Sequence, residues 1–256
     1  MGLADRGSGA ATAVTSRPLP VVILAGGLAT RMRPATETMP KALLPVNGRP
    51  FADIQLAWLR SLGVTDVVFS VGYLGDSIVR HVGDGGQFGL RVRYAADGER
   101  PLGTGGALRA VIDSGAVPES FGVINGDSYL SLDLRKVDAA FAESGCPALM
   151  TVMHNHNRWE ASNVVYRDGR VVVYDKTRPE AWRDRMEWID YGFVVLSRGA
   201  IVDRVAPGAS ADLSDLMHEL SLAGRLAGFE VTDRFYEIGS TQGLADLERH
   251  LSSGAE

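Results

Sequence analysis

Two glycines and two cations sit together just past an apolar run. The segment Leu24-Ala25-Gly26-Gly27-Leu28-Ala29-Thr30-Arg31-Met32-Arg33-Pro34 is followed closely by Met39-Pro40-Lys41-Ala42-Leu43-Leu44-Pro45-Val46. Backbone N–H groups come close to phosphate oxygens only where no Cβ intervenes, and Gly26 and Gly27 meet that need. Arg31 and Lys41 add positive charge from the same loop, Arg31 as a fork for the β- and γ-phosphates and Lys41 as a point contact at the α-phosphate. The chemistry would be the grip on a triphosphate attacked at its α-phosphorus. A Gly-Gly pair after a strand equally suits an ordinary turn. The stretch is not a Walker loop, which needs Gly-Lys-Ser/Thr, nor a dinucleotide fingerprint, which needs a third spaced Gly. Farther on, Val123-Ile124-Asn125-Gly126-Asp127 reads as a buried strand ending in an acid. Asp127 there could hold Mg²⁺ through hard oxygen ligands, or could cap a turn.

These groups need strands that end beside them. Val21-Val22-Ile23-Leu24-Ala25 is a short β-branched run of the kind buried on both faces of a parallel sheet. Apolar residues at Phe51, Ile54, Leu56, Leu59 and Leu62 predict a helix over 50–62 that stops at Gly63. Strands over 64–71, 90–94 and 121–125 alternate with helices over 74–82 and 104–112. Short connections between them imply βαβ crossovers and an α/β fold: a doubly wound, mostly parallel, Rossmann-like sheet with ligands at its carboxyl edge. After a helix over 133–144, Val- and Tyr-rich runs at 148–153, 163–167, 170–174 and 189–196 predict a small mixed β region laid over the pocket, with a hairpin at Asp168-Gly169. Residues 1–18 read as a disordered leader and 19–256 as one domain, with halves at about 19–130 and 131–256 and no β-helix repeat.

Composition narrows the function classes. A formal charge of −5 over 256 residues offers no basic field for a nucleic-acid backbone, so phosphate recognition must be local. No apolar run approaches membrane-spanning length and no secretory signal opens the chain, which points to a cytoplasmic protein without a membrane partner. The lone Cys146 is expected to be a buried, inert thiol. His154-Asn155-His156 lacks a third ligand and reads as a strand end. A homodimer is the default for such a chain.

The stretch from Leu24 to Val46 resembles the sugar-phosphate nucleotidylyltransferase family, whose pattern runs Gly-Gly-x-Gly-Thr-Arg, then x-x-Pro, then Pro-Lys-x-Leu-x-Pro-Val. Ala29 departs from it, standing where the family has Gly. The resemblance implies transfer of a nucleoside monophosphate from an NTP to a sugar 1-phosphate, with Mg²⁺ and release of pyrophosphate. It implies catalytic roles for Arg31, Lys41 and Lys176, with Lys176 on the sugar phosphate. Leu24, Ala25, Gly26, Gly27 and Thr30 would hold the nucleotide, joined by Gly103 and Thr104 in a segment similar to Gly-Thr-Ala-Gly-Ala. Glu99 could accept from a guanine edge or be a solvated loop acid. Gly126, Glu160, Asn163, Asp175, Asp190 and Tyr191 fall at positions resembling sugar contacts. Asp127 would be one metal ligand and Glu237 the other, since Phe235-Tyr236-Glu237-Ile238-Gly239-Ser240 resembles a family pattern with Asp at that place. Glu237 could also be a surface strand acid. The texture looks most like members acting on GTP and D-glycero-D-manno-heptose 1-phosphate or mannose 1-phosphate; uridylyl or cytidylyl transfer stays open. A non-catalytic sensor of nucleotide sugars would be expected to lack Arg31, Lys41 or Asp127, and all three are present.

Overall fold

The computed structural model describes residues 17–27, 32, 34–96, 98 and 100–253. The expected leader lies outside them, apart from Arg17 and Pro18. In chain order the first half holds β1 (Val21–Ala25), β2 (Pro45–Val46), β3 (Arg49–Pro50), α1 (Phe51–Ser61), β4 (Asp66–Val71), α2 (Gly75–Val82), β5 (Arg91–Ala96), α3 (Gly103–Asp113) and β6 (Ser120–Asn125). Then come β7 (Ser128–Tyr129), α4 (Leu134–Ser144), β8 (Ala148–His154), β9 (Val164–Arg167), β10 (Arg170–Tyr174), α5 (Glu180–Arg183), β11 (Trp188–Ser197) and α6 (Arg198–Val202). The chain closes with α7 (Leu213–Leu222), β12 (Leu226–Val231), β13 (Tyr236–Glu237) and α8 (Thr241–Ser253).

Nine strands form one sheet in the order β5-β4-β1-β6-β11-β8-β12-β10-β9. The expectation of a mostly parallel sheet with a separate β region over its pocket is corrected here. Four neighbouring pairs are parallel, β5–β4, β4–β1, β1–β6 and β8–β12. The other four are antiparallel: β6–β11, β11–β8, β12–β10 and β10–β9. The strands of the second half extend the first half's sheet because β11 pairs along β6 from Ser120 to Ile124, a long-range ladder that no local pattern announces. The Asp168-Gly169 turn has the predicted hairpin form, with φ of 49° and 77°.

Alternation along β1 shows how the sheet is covered on both faces. Val21 and Ile23 join a cluster with Leu56, Leu59, Ile78 and Val137 from α1, α2 and α4. Val22 faces the other side, with Leu108, Val111, Met217 and Leu220 from α3 and α7. A third, smaller cluster matters most for the site. Leu44, Val46, Phe51 and Ile54 pack against Ile238 and Leu247, clamping the end of the chain onto the segment that follows Lys41. Leu247 is fully buried there. Leu247→Ala is expected to cost about 3 kcal/mol in chemical denaturation, and to loosen Glu237 along with α8.

Cys146 is half-buried rather than buried and takes a contact from the Arg170 guanidinium. His154 stacks on Trp188 and leans on His156, so the pair is part of an aromatic strand end. Among the described residues no helix is long and apolar enough to cross a membrane.

Candidate functional site

The sheet changes direction between β1 and β6. From β1 the chain winds outward through β4 to β5, then returns by α3 to place β6 on the other flank of β1. A crevice opens at the carboxyl ends of two strands where the winding reverses in this way. Here β1 ends at Ala25-Gly26-Gly27 and β6 at Asn125-Gly126-Asp127, with Leu24 in register with Asn125. Gly126 donates its N–H to the Leu24 carbonyl at 2.9 Å, and a Cβ at this position would meet that oxygen at 3.0 Å. A side chain at residue 126 would crowd this close approach of the two loops.

The last strand completes the crevice. β13 pairs antiparallel with β7, setting Glu237 opposite Ser128, and Ile238 N–H donates to the Asp127 carbonyl at 3.0 Å. Two carboxylates 110 positions apart in the chain are thus brought near each other, Asp127 just before β7 and Glu237 on β13. From beneath, buried Gln55 on α1 donates to the carbonyls of Asn125 and Ser128, both at 2.9 Å, and so pins the turn that carries Asp127. Gln55 has the spacing of the apolar face of its helix but not its chemistry, so sequence alone does not single it out. Gln55→Ala would leave two carbonyls unmet, and is expected to cost about 1–3 kcal/mol in a urea melt and to depress turnover by displacing Asp127.

A cavity of about 920 Å³ fills the crevice. Leu24, Ala25, Gly26, Gly27, Lys41, Gly103, Thr104, Gly126 and Asp127 line one side. Glu160, Asn163, Lys176, Asp190 and Glu237 also line it. Thr30, Arg31 and Glu99 lie outside the described residues, as do Leu28 and Ala29. Two expected sugar contacts, Tyr191 and Asp175, are not among the residues that line the cavity. Tyr191 is buried in the core, where its hydroxyl donates to the Ser131 carbonyl and accepts from the Ser131 N–H, both at 3.0 Å. It follows Asp190 along β11 and so points to the opposite face. Asp175 turns back on its own loop, accepting from the Thr177 N–H at 2.8 Å and the Thr177 hydroxyl at 2.6 Å. Its place is to shape the turn that presents Lys176 and Arg178.

Thr104 lines the cavity but its hydroxyl is engaged elsewhere. It donates to Asp212 at 2.6 Å and accepts from the Leu213 N–H at 2.8 Å, tying α3 to the start of α7. Gly103 has φ of 68°, and a Cβ on it would stand 2.5 Å from the Ala211 carbonyl oxygen. The glycines that open α3 are thus demanded by packing against 209–211. Arg100, Arg178 and Tyr73 also line the cavity and carry no sequence motif.

Charge is the dominant feature of the cavity. Lys41 Nζ and Asp127 Oδ2 form an ion pair at 2.7 Å. Burial, then the charges of Asp127 and Glu160, push the Glu237 carboxyl up to about 7. Burial raises Asp190 as well, opposed by the Gly192 N–H, the Lys176 charge and the Tyr174 hydroxyl. Carboxylates crowded in this way call for a cation. The donor set fits magnesium, which takes one or two carboxylates and completes its shell with water and phosphate oxygens. Among the described residues no group of three or more His, Cys, Asp or Glu side chains is placed to hold a metal ion by itself.

The raised Glu237 carboxyl has a consequence for stability. Its folded value lies above the ordinary 4.5, so the fold favours the protonated form; that contribution is complete below about pH 4.5 and is lost as pH rises to about 7. Asp127→Asn removes one of the charges responsible. Thermal melts of the ligand-free proteins are expected to show a shallower loss across this window in Asp127→Asn than in the wild type.

Comparison with known proteins places the chain in a family. The family model described as nucleotidyl transferase matches residues 20–165. A D-glycero-alpha-D-manno-heptose 1-phosphate guanylyltransferase from Campylobacter jejuni is 31% identical over 57% of this chain and 64% of its own length, so the chain matches less than two thirds of that relative. An N-acetylmuramate alpha-1-phosphate uridylyltransferase from Neisseria meningitidis is 28% identical over 89% of this chain and 96% of its own. The crystal structure of HddC from Yersinia pseudotuberculosis complexed with GMP-PN superposes with a TM-score of 0.73 and 26% identity, covering 91% of this chain and 99% of that one. The chain belongs to the nucleotidyl transferase family.

Proposed function

We propose that the chain joins a nucleoside triphosphate to a sugar 1-phosphate, releasing pyrophosphate and forming a nucleotide sugar. The observation that carries this reading is that Asp127, Glu237, Lys41, Lys176 and the glycine bend line one cavity, with the Asp127 charge acting on Glu237. Phosphate-to-phosphate transfer asks a protein mainly for positioning and charge compensation, and these residues are suited to both. Asp127 and Glu237 would hold Mg²⁺, which when bound supplies positive charge between the two phosphates. Gly26 and Gly27 cradle the triphosphate, Lys41 leaves Asp127 for the α-phosphate, and Arg31 meets the departing pyrophosphate. Lys176 orients the sugar phosphate, whose oxygen attacks the α-phosphorus in line as the bond to pyrophosphate breaks. No general base is required, because the attacking phosphate is ionised near neutral pH.

For the substrates, GTP with D-glycero-D-manno-heptose 1-phosphate is the first reading, with mannose 1-phosphate beside it. Support comes from the guanylyltransferase relative and from the full-length likeness to HddC with its guanine nucleotide. Uridylyl transfer is the second reading, favoured by the uridylyltransferase whose length is matched almost completely. A pyrophosphate-release assay over four triphosphates and a panel of sugar 1-phosphates tests both. Release with GTP and a manno-configured sugar 1-phosphate supports the first reading, and preference for UTP replaces it with the second. No release from any pair would leave a nucleotide-sugar sensor as the better description.

A further inference from the structure

We propose that Arg178 binds an anionic oxygen of the sugar substrate, as a second cation beside Lys176. This deepens the proposed function and rests on it. Arg178 lines the cavity together with Lys176, two positions away on the same turn. Its φ is 52°, a left-handed backbone that side-chain-bearing residues seldom adopt. The turn is tied down on both sides: Asp175 caps it through Thr177, the Arg178 N–H donates to the Asp175 carbonyl at 3.3 Å, and Arg183 Nε donates to the Arg178 carbonyl at 3.3 Å. A backbone held in this way at a cavity wall is the mark of a side chain being aimed.

The guanidinium itself is only half engaged. Nη2 donates to Asn157 Oδ1 at 3.0 Å, which fixes the plane of the fork on the loop that carries Glu160. Nε is buried and has no acceptor. Arg178 takes part in no ion pair among the described residues, whereas Lys41 is already matched to Asp127. A permanently charged fork at the cavity wall, anchored by one arm to Asn157 and without a carboxylate partner among the described residues, is suited to an oxyanion. Asn157 also accepts from the Ser162 N–H at 2.9 Å, so arginine, loop and Glu160 form one preset wall on the sugar side. The oxyanion can be the 1-phosphate itself or a carboxylate carried on the sugar ring.

The test is calorimetric titration of two sugar 1-phosphates, one neutral in its ring and one bearing a carboxylate, into wild type, Arg178→Met, Arg178→Lys and Asn157→Gly, alongside steady-state KM values. Arg178→Met is expected to weaken sugar 1-phosphate binding on the order of ten- to a hundredfold with little change in triphosphate KM. Arg178→Lys should recover part of the loss, since it keeps the charge without the fork. Asn157→Gly tolerates the left-handed backbone and removes the anchoring acceptor, and it should lose much less. A loss for both sugars identifies the phosphate as the partner; a loss for the acidic sugar alone identifies the ring carboxylate. The inference is overturned if Arg178→Met binds both sugars as the wild type does, if triphosphate KM rises equally, or if Asn157→Gly reproduces the whole loss. A wild type that binds no sugar 1-phosphate overturns the proposed function itself, a result distinct from any of these.

Discussion

Asp127→Asn is expected to lower turnover about a thousandfold while the protein stays folded, several kcal/mol of transition-state stabilisation being lost with one metal ligand. The substitution keeps the size of the side chain and removes its charge. The fold has little to lose: the Asp127 side chain contacts Lys41 and crowds Glu237, whereas the turn is held by Gln55 and by backbone bonds that do not involve the carboxylate. A melting temperature equal to or above that of the wild type, with kcat collapsed, is the expected pair of results. Turnover within about threefold of the wild type would remove Asp127 from the chemistry, since a difference that small is under 1 kcal/mol.

The second large effect is expected at Lys176. Lys176→Ala should raise KM for the sugar 1-phosphate by about ten- to a hundredfold, the worth of one charge-assisted hydrogen bond, and leave KM for the triphosphate within about twofold. Lys176 is exposed on the turn shaped by Asp175 and contributes favourable charge to half-buried Asp190, so its removal leaves the sugar side of the cavity more negative. A phosphate dianion entering that side then meets uncompensated carboxylates. Equal losses on both substrates would mean that Lys176 acts on the triphosphate or on the shape of the cavity. Raising ionic strength should blunt the effect only slightly if the contact is partly desolvated.

The first half of the fold is legible because its signals are local. β-branched Val21–Ala25, the helical spacing of α1 and the Asp168-Gly169 hairpin each announce themselves within a dozen residues. The unity of the sheet is not, because it depends on β6 pairing with β11 across some seventy positions. β8 and β11 are buried along most of their length, as central strands are, and that same burial makes them look like the core of a separate small region. Helix α7, which buries Leu216, Met217 and Leu220 after Asp212, is an element that the reading of the sequence does not predict.

The site divides along the same line. Gly26, Gly27, Lys41 and Asp127 lie in motifs whose residue types and spacing imply a phosphate loop and an acid at a strand end. Glu237 follows from resemblance, and its approach to Asp127 depends on a two-residue ladder that only the folded chain reveals. Gln55 and Arg178 carry no motif; one is defined by the two carbonyls it meets and the other by the partner it lacks. Tyr191 shows how one step along a strand turns a side chain from the cavity to the core, which a motif does not display.

The proposed chemistry requires a divalent ion held by Asp127 and Glu237, with Arg31 acting on the same triphosphate. Anomalous diffraction from crystals grown with Mn²⁺ and a non-hydrolysable triphosphate measures this directly. The expected result is one peak bonded to both carboxylates and to the α-phosphate, with the Arg31 guanidinium on the terminal phosphates. A peak elsewhere, or Arg31 on the far side of the molecule from Asp127, would contradict it.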